Sequence, residues 1–321
     1  MKEFANRLAV VTGAGSGMGR ELAVQLAREG ARLALCDVSM PNLEETRRLC
    51  AAENARVRVS LHRCDVSDEQ DVLAFRDAAL AEHDTDHVHL LFNNAGIGGG
   101  GSLFTDSREE WDRTFGVCWG GVYYCTRAFL PLLAAAEEAH LVNTSSVNGF
   151  WASIGPGIPH TAYCAAKFAV KGFTEALITD LAVNAPHVKV SLVMPGHIGT
   201  NIVLNSMTVL RGHDVRGMTA EEVAATRERL KARGLPVDNV PDDHIREMMY
   251  QQGVAFRDNA PMTAAEAAEV ILDGVRADRW RILVGKDAEA LDAAVRAAPE
   301  DAYLPTFIER LPGMGFLAGE R

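Results

Sequence analysis

The stretch from Leu8 to Asp37 leaves a chain few folds to choose from. A short apolar run, LAVVT, leads straight into Gly13, Gly15, Gly17 and Gly19; RELAVQLAREG then has helical spacing and stops at Gly30. RLALCD follows, a second apolar run that closes on an acid. This order reads as strand, glycine turn, helix, strand. Glycines permit a sharp turn and a close approach of main chain to a pyrophosphate, which rests on the unpaired N–H groups opening the helix. An acid ending the second strand accepts hydrogen bonds from both hydroxyls of an adenosine ribose and repels a 2′-phosphate. Asp37 stands 18 residues after Gly19, and no Arg or Lys occupies Ser16, Val38 or Ser39. The unit predicts a dinucleotide site that takes NAD in preference to NADP.

The alternation continues along the chain. PNLEETRRLCAAEN is helical, VRVSLHRCDV strand-like, DEQDVLAFRDAALAEH an amphipathic helix, and HVHLLFNNAG a strand ending in Asn93-Asn94-Ala95-Gly96. A long helical stretch over 109–133 runs up to and around Pro131; AHLVNTSS is a strand, AYCAAKFAVKGFTEALITDLA a helix and HVKVSLVMPG a strand. A helix over 263–275, the strand RWRILVG and the helix DAEALDAAVRA complete the series. Repeated strand–helix units with Val- and Leu-rich strands imply an α/β fold whose parallel sheet is covered on both faces, binding ligands beyond the carboxyl ends of its strands. Asp65 and Asn93 fall at those ends. Each also has a plain structural reading: Asp65 as a turn acid or helix cap, Asn93 as a turn-former.

Composition excludes several classes. A net charge of −11 over 321 residues argues against nonspecific binding to nucleic acid or anionic lipid. No apolar run reaches the roughly 18 residues that suggest a membrane span, and the first residues lack a signal-peptide layout. The six cysteines are scattered without a C-x-x-C pair, as expected of thiols in a reducing cytoplasm. His83, His87 and His89 cluster in sequence but without recognised ligand spacing, so no metal site is expected.

Chemistry concentrates in Tyr163-x-x-x-Lys167, whose spacing puts both side chains on one face of a helix, about one turn apart. A Tyr hydroxyl, with an ordinary pKa near 10, is a poor base at neutral pH, and a neighbouring ammonium favours the phenolate. Upstream, Ser145 and Ser146 end an apolar run, where a hydroxyl can meet a substrate oxygen. Taken alone the pair is a common accident of sequence. Its place between a strand end and the following helix, on the cofactor side of the sheet, is what gives it weight.

With these pieces aligned, the chain resembles the short-chain dehydrogenase/reductase family over roughly residues 5–290. The matching motifs are Thr12-Gly13-x-x-x-Gly17-x-Gly19, Cys64-Asp65-Val66, Asn93-Asn94-Ala95-Gly96, Ser146, Tyr163-x-x-x-Lys167 and Pro195-Gly196-x-x-x-Thr200. The resemblance implies a Rossmann-type doubly wound sheet of about seven parallel strands in one domain and a nicotinamide cofactor. It implies Tyr163 as general acid/base, Lys167 holding the nicotinamide ribose and lowering the Tyr pKa, and Ser146 orienting the substrate oxygen. Cofactor contacts are expected from Gly13, Ser16, Gly17, Met18, Gly19, Asp37, Asp65, Val66, Asn93, Ala95, Gly96, Pro195, Gly196, Ile198 and Thr200. Phe150, Trp151, Ile154 and Met207 are expected in the substrate pocket, and a homodimer or homotetramer is expected through the long helices. The expected activity is interconversion of a secondary alcohol with a ketone or aldehyde. The alternative is a cofactor-binding regulatory or scaffold protein without turnover.

Two departures stand out. Where the family carries Asn in a proton relay behind the Lys, the aligned segment Val117-Cys118-Trp119-Gly120-Gly121 has Cys118, whose thiol is a weak donor and acceptor. The segment 200–262 is expanded into a substrate lid with two helical patterns, 219–232 and 241–252. Its apolar residues read either as pocket lining or, more often for such residues, as packing of the lid onto the body, and Gly98–Gly101 reads as an open opposite wall. A tail over 299–321 lacks clear periodicity.

Overall fold

The computed structural model describes residues 1–155, 158–232 and 234–307. In chain order the elements are β1 (Leu8–Thr12), α1 (Gly17–Arg28), β2 (Arg32–Asp37), α2 (Met40–Glu53), β3 (Val59–Arg63), α3 (Glu69–His83) and β4 (Leu90–Asn93). Then come α4 (Arg108–Phe115), α5 (Gly121–Ala135), β5 (Ala139–Thr144), α6 (Thr161–Asn184), β6 (Val188–Pro195) and β7 (Ile198–Gly199). The lid contributes α7 (Ile202–Arg211), α8 (Ala220–Ala232) and α9 (Asp242–Asp258). The chain then returns through β8 (Met262–Thr263), α10 (Ala264–Arg276), β9 (Arg281–Val284) and α11 (Lys286–Ala297).

Seven parallel strands form one sheet in the order β3-β2-β1-β4-β5-β6-β9. Because β2 and β3 lie on one side of β1 and the later strands on the other, the crossovers diverge between β1 and β4 and leave a crevice above their carboxyl ends. The strands are apolar on both faces, as a sheet sandwiched by helices requires. Ala9 and Val11 of β1, Leu33 and Leu35 of β2, and Leu90 and Phe92 of β4 face the cluster containing α1 and α10. Leu8, Val10, Ala34, Cys36 and Leu91, one residue out of phase, face the cluster of α3 and α5. The two-residue alternation of a strand thus writes two cores at once.

The stretch 108–135 folds as α4 and α5 joined through a π-helical turn at Gly116–Gly120, with Pro131 inside α5. A Cβ on Gly121 would come within 2.6 Å of the Val66 side chain, so this glycine lets the helix lie close against the β3–α3 loop. The lid differs from expectation by one helix. α8 and α9 match the two sequence patterns, but IVLNSMTVLR also winds into α7, closed by Gly212 in the left-handed region at φ 78°. The lid has its own small core, with Val215, Met218, Val223, Leu230, Val237 and Ile245 buried together. Phe307 and Ala302 pack with Trp151 and Leu291; residues 308–321 of the expected tail lie outside the described residues.

The clustered histidines are committed elsewhere. His83 Nε2 lies 3.1 Å from both Ser60 Oγ and Leu33 O, and His89 Nδ1 accepts the Leu8 N–H at 3.2 Å. His87 faces Asp86 at 2.8 Å.

Candidate active site

The glycine turn is built by close contact. Gly13 and Gly17 adopt φ of 65° and 53°, where side chains are strained. A Cβ on Gly13 would lie 2.7 Å from the Ala95 main chain. Thr12 Oγ1 accepts the N–H groups of both Asn94 and Ala95 at 3.0 Å, sewing the β4 turn onto the β1 turn. Ser16 occupies the N-cap of α1 without capping it; its Oγ instead accepts Asn205 Nδ2 from the lid at 3.0 Å. The first-turn N–H groups of α1 thus lack a side-chain cap, a donor set suited to a pyrophosphate. Asp37, at the end of β2, accepts Gly15 N–H at 2.9 Å and Ser39 N–H at 3.0 Å. Burial raises its carboxyl above the ordinary range, opposed by those amides and by Arg20. Arg20, not singled out from the sequence, donates to Gly15 O and to Thr46 Oγ1 at 3.1 Å, bracing the turn from behind. These residues fit a dinucleotide.

The remaining cofactor residues divide. Gly196 N–H bonds Val284 O at 3.0 Å, and Asp287 accepts His197 N–H at 2.7 Å, fixing the chain beyond Pro195. The β7–β8 pairing then sets Thr200 beside Gly17, where a Cβ would stand 3.1 Å from the Thr200 methyl group. Ile198 is buried, and Met18 packs against the same cluster. Val66 is buried in the opposite cluster. Asp65 holds its own turn: Ser67 donates to it at 2.7 and 3.0 Å, and Arg113 pairs with it at 2.7 Å. The Asn93 side chain is turned into the sheet. Its amide is buried and donates across the sheet to Asn143 Oδ1 at 2.8 Å and Thr126 Oγ1 at 3.0 Å.

At the end of β5 the two serines part. Ser145 Oγ donates to Lys167 O at 2.7 Å, tying the strand to α6. Ser146 accepts Asn148 N–H at 3.1 Å and hydrogen-bonds the Tyr163 hydroxyl. Lys167, 2 % exposed, donates from Nζ to Thr144 O at 2.9 Å and lies 5.4 Å from the centre of the Tyr163 ring. Burial lowers its ammonium pKa. The expected lowering of the Tyr163 pKa is reversed in this arrangement. Burial pushes the hydroxyl well above its ordinary value, Cys118 adds to that, and the Ser146 hydrogen bond opposes it.

Cys118 sits in the π-helical turn, fully buried, and its thiol donates to Ile97 O at 3.1 Å. A Cβ on Gly96 would lie 3.6 Å from Lys167 Nζ and 3.8 Å from Cys118 Sγ, so the loop after β4 passes both. That loop then meets the lid, where Ser206 Oγ accepts Gly98 N–H at 2.8 Å. The glycine run is a tight seam, contrary to the open wall expected of it. A Cβ on Gly99 would strike Leu210 and one on Gly100 would strike Ala162 and Trp111, so the glycines serve close packing.

Three of the four expected pocket residues are turned elsewhere. Trp151 is buried under the C-terminal segment, with its indole N–H on Ala302 O at 2.7 Å. Phe150 packs beside Leu192 and Leu283, with the Arg281 guanidinium 5.8 Å from its ring. Met207 packs in the lid's own core. Ile154 is half-buried in the loop before α6. An aromatic or apolar residue in a loop buries itself wherever apolar surface is available, and here that lay behind the site. His160, missed because the helix pattern was read from Ala162, stacks on Tyr163 at 4.7 Å between ring centres. A cleft of about 890 Å³ between α4, α7 and α8 is lined largely by charged residues, including Asp106, Glu110, Arg211 and Glu222. Tyr163 is not among its walls.

Residues 7–208 match the family model described as short chain dehydrogenase. A putative oxidoreductase, SadH, of Mycobacterium tuberculosis is 38% identical over 296 residues, covering 92% of each chain. The crystal structure of a short-chain dehydrogenase/reductase from Burkholderia phymatum in complex with NAD superposes with a TM-score of 0.72 at 33% identity, covering 95% of this chain and 96% of that one. A metagenomic short-chain oxidoreductase in complex with NADP gives a TM-score of 0.52 at 33% identity, over 60% of this chain and 83% of that one. With the sheet order, the glycine turn and the Ser146–Tyr163–Lys167 grouping already described, this chain belongs to the short-chain dehydrogenase/reductase family of oxidoreductases.

Proposed function

We propose that the protein is an NAD(H)-dependent alcohol dehydrogenase/carbonyl reductase, interconverting a secondary alcohol and a ketone or aldehyde on a medium-sized hydrophobic substrate. The observation that carries this reading is the Tyr163 hydroxyl bonded to Ser146, one helical turn from the buried Lys167 ammonium. When bound, the nicotinamide supplies hydride acceptance or donation. Tyr163 delivers a proton to the carbonyl oxygen in reduction and takes one from the carbinol in oxidation. Ser146 orients that oxygen, and Lys167 stabilises negative charge at the phenol.

Support for NAD over NADP comes from Asp37, which stands half-buried at the end of β2 with two main-chain amides on its carboxylate. Asp37→Ser is expected to lower kcat/KM with NAD and raise it with NADP; an unchanged ratio counts against the assignment. Phe168 and Ile178, exposed on α6, support assembly as a homodimer or homotetramer through that helix. The six free, buried thiols support a cytoplasmic setting. No helix among the described residues is long and apolar enough to cross a membrane.

The test is NADH formation from NAD with a panel of secondary alcohols graded by size, followed by near-ultraviolet absorbance. Tyr163→Phe is expected to cut kcat/KM by about 10²–10⁴-fold while NADH binding is retained. Undiminished activity in that variant sinks the assignment. Tight NADH binding without turnover across the panel favours instead the non-catalytic reading, to which Cys118 in place of the family's Asn lends the only support.

A further inference from the structure

His160, at the N-cap of α6 beside Tyr163, is a polar residue that the mechanism above leaves unused. Its neighbours are committed. Thr161 Oγ1 bonds Gly100 O at 3.2 Å and accepts Trp111 Nε1–H at 3.1 Å; Ser206 Oγ takes Gly98 N–H and donates to Ile202 O. Asn148 donates to Trp151 O at 3.0 Å and Ser153 O at 2.6 Å. The imidazole stands at the start of α6, stacked on Tyr163 at 4.7 Å and tilted by 32°. It reaches toward the lid side, since a Cβ on Gly98 would lie 4.0 Å from His160 Cε1 and 3.9 Å from Ser206 Oγ. Although it holds the N-cap position it makes no capping bond, and its ring nitrogens bond to no described residue.

We propose that His160 is a specificity-determining residue, giving a hydrogen bond to a second oxygen on the carbon next to the reacting one, so that the enzyme prefers hydroxyketones and their diols over simple ketones and alcohols. A substrate oxygen about 3 Å from the phenol hydroxyl and another about 3 Å from the imidazole edge are a normal hydrogen bond from each group. Ring centres only 4.7 Å apart keep the two hydrogen-bonding groups close, which suits oxygens on adjacent carbons better than oxygens across a six-membered ring. Burial pushes the His160 pKa down to about 4 and no carboxylate opposes it. At neutral pH the ring therefore carries one donor and one acceptor nitrogen, matching a hydroxyl or a carbonyl alike.

This inference rests on the alcohol/ketone reading, and equilibrium binding separates the two. The probes are 2-hydroxycyclohexanone, 4-hydroxycyclohexanone and cyclohexanone, added to the protein saturated with NADH, with binding and turnover both measured. The wild type is expected to bind the 2-hydroxy compound about five- to tenfold more tightly than either comparator, the worth of one neutral hydrogen bond. His160→Phe keeps a ring on Tyr163 and removes the nitrogens; it should abolish that preference through KM and leave kcat for cyclohexanone within about twofold. His160→Asn keeps a polar group and should retain part of the preference. A preference in binding lost in His160→Phe, with no turnover in any protein, upholds the role of His160 and overturns the dehydrogenase reading. A preference that is absent from the wild type, or survives in His160→Phe, overturns the proposal.

Discussion

The sheet-and-helix body and the three-helix lid are both held by buried apolar side chains, but in different proportion. The body has two extended cores, one on each face of seven strands. The lid gathers six buried residues between α7, α8 and α9 and presents charge around them. The two regions meet along a charge-lined seam, at His197 Nε2 with Phe256 O at 2.6 Å, and at three further bonds: Asn205 to Ser16, Ser206 to Gly98, and Arg229 with Asp106 at 3.6 Å. Two of these three land on the glycine turn and on the loop that passes Lys167.

The largest expected effect separates the two cores. Leu91, in β4, and Ile245, in α9, are both fully buried. Truncating either to Ala should cost about 2–5 kcal/mol locally, but the consequences should differ. Leu91→Ala lowers the cooperative melting transition of the whole protein and its NADH binding together. Ile245→Ala loosens the lid alone: kcat/KM falls by about tenfold or more, while NADH affinity holds within about threefold and Tm within a few degrees. Equal loss of Tm in the two variants, followed by calorimetry, would erase the distinction between body and lid.

The same division explains what could be read from the sequence. Body strands announce themselves by apolar runs that end in glycine, Asp65, Asn93 or Ser146, because a two-sided parallel sheet tolerates little else. The site residues Ser146, Tyr163 and Lys167 came with fixed spacing on those elements. In the lid, IVLNSMTVLR offered apolar residues without a clean polar face, so they read as pocket lining or lid packing and α7 was not legible as a helix. Trp151 finds its partner 151 residues away at Ala302, a distance no local pattern reports. Asn93 is claimed by β5 and α5 from across the sheet. His160 was one step from legible: it stands three residues before Tyr163, on the same helical face, just outside the predicted helix.

A second effect, on the order of 2 kcal/mol per group, concerns acid and belongs to the body. Burial lowers His83, His89 and His140 from 6.5 to about 4. Each lies in or beside a body element, α3, β4 or β5. A folded pKa below the unfolded value means that the unfolded chain binds more protons between the two. The stability these neutral histidines sustain is complete above about pH 6.5 and drains away as pH falls towards 4. Tm measured from pH 7 to pH 4.5 should fall along that window. A variant with the lid's His213 and His244 both changed to Gln should keep the same slope; a flattened slope would move the acid-labile point into the lid.

The smallest effect is expected where the two regions join. Cys118 holds Ile97 O, and the next residue, Gly98, is held by Ser206 of the lid, so one short loop passes from a body contact to a lid contact. The thiol is a weak donor, and the turn around it is fixed by its own main chain, with Gly121 N–H reaching back to Gly116 O across the π-helical turn. Changing Cys118→Asn supplies a stronger donor for the same carbonyl and restores the residue type usual at this place in the family. The turn geometry does not depend on the side chain, so kcat/KM should stay within about threefold or rise, because the exchange concerns one weak hydrogen bond. Cys118→Val, which fills the space but leaves Ile97 O without its donor, should cost more, with the loss in the KM for substrate because the loop carries the lid contact. Steady-state kinetics on the two variants decides it. A large fall in kcat for Cys118→Asn would mean that the thiol itself takes part in proton transfer, and that the body contributes a group to the chemistry which alignment with the family does not supply.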